Sequence, residues 1–413
     1  MKIAIVAFHF KPEEAIGAVR PENWAAWLSD AHDVVVITRD FPGADDHSET
    51  RYRIVRARSL AIRVIDWLNR HRKRLRVRRA QNDRAQHPAG TETSREDRAA
   101  VPSGAFVYRM PCLHDLWFAA AVRALRSEDP DLVIATHSPY VCLLAASTHK
   151  KRNPRCRLWL DFRDLWTEGH LTRGLPLVRR FERLLERRAL RRADIVSSVS
   201  RVYVASFHDL VPDKRRALIH NAPTESALGG ARNGEPGPPL KICYTGSIYK
   251  GFRDPTPLFE LCSRLGEEGR LDPANLRLVF ASRMPGDLPS LVSRTRATEF
   301  VDFLGAVPRS ESLKLQQDAD VLLLLESGRT EANGTMTAKI FEYLATDKPI
   351  LLLGPGPDSE LYRLIDGHDR LISLERLRDV LLGNGRIEAQ TPVNYASIAR
   401  EQLFEAIGRL SQS

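Results

Sequence analysis

The sequence predicts an α/β protein built from two doubly wound domains, and three observations carry that reading. Within the first 40 residues an apolar run, a helical stretch and a second apolar run follow one another, the pattern of a β-α-β unit. Between Glu225 and Pro239 the chain is dominated by residues that cannot build a core, and after it the same alternation restarts. Repetition of this kind is satisfied by a parallel sheet with helices on both faces, once in each half.

The first strand is expected at Lys2–Phe8, a helix at about Pro21–Ser29 and a second strand at Val34–Thr38. Leu132–Thr136 and Leu158–Asp161 are short apolar or β-branched runs bounded by turn residues. Pro176–Arg192 has the length and charge pattern of a surface helix, and Asp194–Val199 and Ala217–Ile219 add strands. Residues 81–103 show almost no apolar periodicity and read as a mobile part of an insertion at about 60–103. The first domain is therefore placed at 1–225, a linker at 226–239 and the second domain at 240–392.

In the second domain, strands are expected at Lys241–Thr245, Arg277–Ala281, Phe300–Leu304, Val321–Leu325 and Pro349–Leu353. Helices alternate with them at about Pro257–Leu265, Ser310–Gln317 and Thr337–Ala345. The last amphipathic stretch, about Tyr395–Leu410 within 393–413, is available to pack back across the hinge. Two such domains leave a cleft between the carboxyl ends of their sheets, where doubly wound folds bind ligands.

Length and composition narrow the function classes. The 413 residues, 43% hydrophobic and 28% charged, describe a folded globular protein. No apolar run approaches the roughly 20 residues of a membrane-spanning helix, and no secretory leader opens the chain, so a cytoplasmic protein is expected. The five cysteines are never in a Cys-x-x-Cys pair and suggest buried free thiols rather than a disulfide framework or zinc site. Seven of the ten surplus positive charges lie in Arg70–Arg79, leaving +3 for the rest. With Ile62, Val64, Ile65, Trp67 and Leu68 just upstream, that stretch is a candidate basic helix on an anionic membrane surface; the plainer reading is a solvated charge run.

Phosphate-loop, dinucleotide, zinc-protease and nucleophile-elbow motifs are all absent. The most informative segment is Ala319–Leu325, a polar loop from Glu326 to Met336, Thr337–Ala345 and then Lys348-Pro349-Ile350. A strand leading through a polar loop into a helix is a natural seat for a diphosphate. Lys339, in the first turn, adds charge, and Glu342, one turn later, is placed to accept paired ribose hydroxyls. An ordinary β-α-β crossover is the plainer alternative.

This segment resembles the signature of GT-B nucleotide-sugar glycosyltransferases of family 4, especially bacterial envelope-polysaccharide and lipopolysaccharide enzymes, in its Lys-x-x-Glu-Tyr-Leu-Ala followed by Lys-Pro-Ile. Phe8–Arg20, with Pro12, Gly17 and Arg20, is similar to the family's N-terminal loop facing the donor phosphates. Asp161–Trp166 resembles an acidic and aromatic segment lining the acceptor cleft. Ala193-Asp194, Ser200 and His220-Asn221-Ala222 match landmarks near the end of the first domain, and Tyr244–Ser247 through Lys250, Gly251 and Arg253 matches the start of the second. The resemblance spans the chain except about 60–103. It implies two Rossmann-like domains with a C-terminal helix crossing back, a nucleotide-diphosphate sugar as donor, and a saccharide or polyprenyl-linked acceptor. It further implies retention of anomeric configuration, with no cofactor, tightly bound metal or covalent nucleophile.

Carried onto this sequence, the resemblance gives Gly17, Arg20, Gly246 and Ser247 as donor-binding candidates, with Thr335, Thr337, Lys339 and Glu342. Lys250 and Arg253 are the cations best suited to a departing diphosphate, since Arg offers a bidentate fork and Lys a point charge. Asp164 and His137 are candidates to assist or orient the acceptor hydroxyl. One departure stands out: many family members carry a first glutamate eight residues before the second, and here that position is Gly334. A sugar-nucleotide epimerase of the same fold is the alternative, although no clear acid/base set is visible. Nucleic-acid binding through Arg70–Arg79 ranks last, because no reading helix or stacking platform accompanies the run. The expected location is cytoplasmic and peripheral at the inner face of the plasma membrane.

Overall fold

The computed structural model describes residues 1–13, 15–41, 51–68, 71, 110–168, 176–224, 238–248, 252–282 and 288–411. Most of the expected linker, the expected insertion beyond residue 71 and Lys250 lie outside these residues. The chain divides into two units. One comprises Met1–Ser198, Phe207–Ala217 and Ala406–Ser413; the other comprises Val199–Ser206 and Leu218–Glu405.

The first unit is built on seven strands: β1 (Lys2–Val6), β2 (Asp33–Arg39), β3 (Arg53–Ala57), β4 (Leu132–Thr136), β5 (Arg157–Phe162), β6 (Ile195–Ser198) and β7 (Arg215–Leu218). Their order is β3-β2-β1-β4-β5-β6-β7, with parallel pairing from β3 through β6. Ile3 lies opposite Val34 on one side and Leu132 on the other. The central strands β1, β2 and β4 are nearly continuous apolar runs because layers cover both faces of the sheet there.

Helix α1 spans Ile16–Leu28, five residues ahead of the expected start, and Pro21 sits inside it. A proline interior to a helix leaves the carbonyl four residues back without its N–H. Here that carbonyl belongs to Gly17, and it accepts instead from Arg163 Nη1 at 3.3 Å. The sequence pattern hid this start because proline is favoured in the first turn of a helix, so Pro21 reads as its opening residue. A second helix, α2, covers 60–68. Helices α3 (Phe118–Glu128), α4 (Val141–Arg152) and α5 (Pro176–Arg192) pack side by side over the sheet, and α6 spans Arg201–Leu210. Strand β3 and helices α3, α4 and α6 are additions to the elements expected from sequence.

The second unit has six strands: β8 (Leu240–Thr245), β9 (Leu276–Ala281), β10 (Val301–Phe303), β11 (Val321–Leu325), β12 (Ile350–Leu353) and β13 (Leu371–Ile372). Their order is β10-β9-β8-β11-β12-β13, and every pair is parallel. Strand β11 serves two cores at once: Val321, Leu323 and Leu325 join one cluster, Leu322 and Leu324 the other. The helices are α7 (Thr256–Glu267), α8 (Leu288–Arg294), α9 (Arg309–Asp318), α10 (Ala338–Leu344), α11 (Glu360–Asp366), α12 (Leu374–Leu381) and α13 (Tyr395–Ser411). Buried Arg370 donates to the carbonyls of Tyr343 and Leu344 at 3.3 and 3.2 Å, adding to the bonds that these carbonyls at the end of α10 accept from Thr346 and Val393.

In each sheet the strand order reverses once, between β1 and β4 and between β8 and β11. The crevice beyond the carboxyl ends of such a strand pair is where an open α/β sheet takes its ligand. No helix among the described residues is long and apolar enough to cross a membrane. All five cysteines are free thiols.

Candidate active site

Next to the first switch point, Asp161, the penultimate residue of β5, is fully buried. Arg20, reaching from α1, donates to it through Nε at 2.9 Å and Nη2 at 2.8 Å, while its guanidinium lies over the Trp24 ring at 4.3 Å. Hydroxyls of Thr136 and Ser197 add bonds at 2.7 and 2.6 Å. Burial alone would raise the Asp161 pKa, but Arg20 and the two hydroxyls hold it below the usual carboxylate range. Arg20, a donor-binding candidate on the sequence, thus spends its fork on Asp161 and fixes the floor of the site.

Arg163 lies above that floor, donating to the carbonyls of Gly17 and His137. Asp164 beside it is exposed. His137 follows β4, is buried, and stacks on Tyr140 at 4.0 Å; Tyr140 in turn stacks on Trp166 at 4.3 Å. Its Nδ1 has no hydrogen-bond partner. Burial, and then the charge of Arg163, keep this ring well below its ordinary pKa, so it stays neutral at physiological pH. A neutral, ring-stacked imidazole suits orientation of a hydroxyl better than proton transfer.

The second switch point gathers most of the remaining candidates. Gly246 follows β8 at φ +133°, and a Cβ there would stand 2.3 Å from Lys339 Nζ; only glycine leaves Lys339 this path. Lys339, from α10, lies over the Tyr244 ring at 4.5 Å and donates to its hydroxyl at 3.3 Å. Tyr244 donates onward to the Ser247 carbonyl at 2.7 Å. Arg253 Nη1 reaches the same carbonyl at 3.1 Å, and its Nη2 donates to Glu326 at 2.8 and 3.0 Å. Burial and the neighbouring Arg253 push Lys339 down to about 7, against the pull of Glu326 and Glu342.

Glu342 is buried on α10, and its Oε1 accepts from Arg309 Nη2 at 2.6 Å. Its Oε2 has no hydrogen bond from a described residue, which leaves an acceptor for a ligand hydroxyl. Thr337 precedes α10 with a buried Oγ1 that lacks a partner. The Thr335 hydroxyl pairs with Tyr203 at 3.0 Å. Gly334, at φ +95°, explains the departure from the two-glutamate pattern: a Cβ would meet Tyr203 at 2.8 Å and Val202 at 3.0 Å, so a glutamate has neither the backbone nor the room.

Glu326 and Arg309 are the residues that sequence reasoning missed. Glu326 carries a signal, since it is the first polar residue after the apolar run of β11. Arg309 carries none, because only the fold brings α9 to Glu342. Among the described residues, no group of three or more His, Cys, Asp or Glu side chains is placed to hold a metal ion.

Residues 17–222 match the model of a glycosyl transferase 4-like domain. The chain is similar in structure to sucrose-phosphate synthase from Thermosynechococcus elongatus, with TM-score 0.58 and 13% identity over 100% of this chain and 98% of that one. It is also similar to the apo lipopolysaccharide outer core galactosyltransferase WaaB, with TM-score 0.50 and 13% identity over 98% and 100%. A third likeness is to an E. coli structure titled trehalose-6-phosphate, bound with UDP-2-fluoro glucose, with TM-score 0.52 and 11% identity over 99% and 96%. No curated protein matches the sequence. At such identities the structural likenesses establish the fold, and the domain match adds the family. The chain belongs to the GT-B glycosyltransferases of the glycosyl transferase 4-like family.

Proposed function

We propose that this glycosyltransferase moves a sugar from a nucleotide-diphosphate donor to a saccharide or polyprenyl-linked acceptor of the cell envelope. Retained configuration and independence from a metal ion are part of the reading and follow from the family resemblance. One observation carries the donor assignment: two cations, Lys339 and Arg253, stand beside Glu342 at the β8–β11 switch point. As the anomeric bond breaks, negative charge grows on the departing diphosphate, and preorganised cations at its oxygens lower the barrier. Lys339 is held by Tyr244 and given room by Gly246, while Glu326 fixes the fork of Arg253. Glu342 accepts ribose hydroxyls through the oxygen that Arg309 leaves open. At the first unit's switch point, neutral His137 orients the acceptor hydroxyl beside Arg163 and Asp164.

Calorimetric titration with nucleoside diphosphates tests the donor assignment. Glu342→Gln keeps the side-chain volume but removes the charge that accepts the ribose, and affinity is expected to fall about tenfold, since a hydrogen bond to a charged group contributes about 1.5–3 kcal/mol. Unchanged affinity in a variant with wild-type circular dichroism contradicts the assignment.

A further inference from the structure

Helix α5 departs from the usual amphipathic pattern on both of its faces. Both of its acids face inward: Glu182 accepts from Trp166 Nε1 at 3.4 Å and from the Met110 amide at 3.2 Å, and Glu186 accepts from Thr167. The opposite face presents Leu177, Phe181 and Leu184, at 78, 53 and 46% exposure, along one stripe of i, i+4, i+7 spacing. Seven arginines flank that stripe or follow it. Arg179 and Arg183 pair with Glu168, whereas Arg180, Arg187, Arg188 and Arg191 have no ion pair with a described residue. A water-facing helix ordinarily places its apolar residues in the core. Here the core side holds two carboxylates among Leu185, Ala189 and Leu190, and the outer side holds a second apolar stripe of leucine and phenylalanine among cations.

Two features next to α5 extend this surface. A groove of about 690 Å³ opens between α3, α4 and α5, with Lys151, Arg152, Arg188 and Arg192 on its lining and Leu185 in its floor. Arg192 is steadied by donating to the buried Ser147 hydroxyl at 3.1 Å. On the other side, the Met110–Glu182 bond and the Ser59–Leu116 bond link α5 through residues 110–117 to α2. That path exposes Leu113 and Leu116, then Leu60, Val64 and Trp67. Exposed apolar groups thus recur on α5 and on the two segments of this rim bonded to it, with cations that have no described ion-pair partner beside the α5 stripe.

We propose that this rim, centred on α5, docks the first unit on an anionic lipid bilayer. Leu177, Phe181 and Leu184 enter the boundary between headgroups and acyl chains, and the cations of the groove receive lipid phosphates. Charge decides the occupant: an anionic leaflet offers continuous negative charge to arginines that have no carboxylate of their own. The inference rests on the transferase reading only for its use, which is to hold the protein where a lipid-linked acceptor resides. Its test needs no substrate, so failure of one does not entail failure of the other.

Flotation of the full-length chain with phosphatidylcholine vesicles, and with vesicles containing phosphatidylglycerol as well, tests it. Wild type is expected to float with the second and not the first. The combined Leu177→Ser, Phe181→Ser and Leu184→Ser variant is expected to lose about tenfold or more of its binding at low and high salt. Lys151→Gln with Arg188→Gln is expected to lose the salt-sensitive part alone. Turnover on a short soluble acceptor, and circular dichroism, stay unchanged in both. Equal flotation of the triple-serine variant, which would assign binding to residues 70–79, overturns the proposal. So does wild type that floats with neither vesicle, or a sedimentation result in which the same face joins two copies and flotation is unaffected by its substitution.

Discussion

Lys339→Ala is expected to lower turnover by about a hundred- to a thousandfold, the range found when one preorganised donor to a developing oxyanion is removed. The donor KM should change far less, because the interaction strengthens as the diphosphate departs. The same residue sets a pH dependence. Its amine is charged below about 7 in the ligand-free protein and loses that charge as pH rises. Since kcat/KM reports the free enzyme, it should fall above about 7, while kcat holds to higher pH because the bound diphosphate favours the charged amine. Lys339→Arg keeps the charge across this range and should abolish the falling limb. A limb that persists in Lys339→Arg would assign it to another group.

Arg20→Ala should produce the largest loss of stability. It leaves the Asp161 carboxylate fully buried without its countercharge, and breaking a buried pair from one side costs about 3–5 kcal/mol. For a unit of this size the midpoint of thermal unfolding would fall on the order of 10 °C. The sign of the pH effect follows from the pairing. In wild type the Asp161 pKa is lowered, so its contribution is present above the unfolded value and lost as pH falls through the folded one. Without Arg20, burial raises that pKa instead, so protonation in mild acid relieves the stranded charge and the deficit narrows. Urea unfolding at neutral and mildly acid pH reads both effects. A loss below about 1 kcal/mol at neutral pH would show that the pair is not what holds this floor.

The second unit was the more legible half. Five consecutive apolar residues in β11, a length suited to a strand and bounded by polar residues, read as a strand covered on both faces, and Lys339 and Glu342 follow at one-turn spacing on the next helix. The partner of Glu342 was not legible, because Arg309 arrives from an element distant in sequence, and no local pattern announces a tertiary neighbour. In the first unit, Asp161 stood in the motif, but its supports Thr136 and Ser197 sit on separate strands. The early start of α1 was obscured by Pro21, whose missing N–H is compensated by Arg163 across the fold. Helix α5 was legible as a helix and illegible as a surface, since only burial shows that its glutamates face inward while Leu177, Phe181 and Leu184 face outward.

The central claim is that the cluster of Lys339, Arg253 and Glu342 holds a nucleotide-diphosphate sugar whose anomeric bond the enzyme breaks. Incubating wild type and Lys339→Ala with a panel of nucleotide-diphosphate sugars and lipid-extract acceptors, and resolving the products by chromatography, addresses it directly. At least one donor should yield nucleoside diphosphate in step with a glycosylated acceptor, and Lys339→Ala should suppress both products together. Recovery of the bound donor with its diphosphate–sugar bond intact, whether unchanged or epimerised at the sugar, would contradict the account.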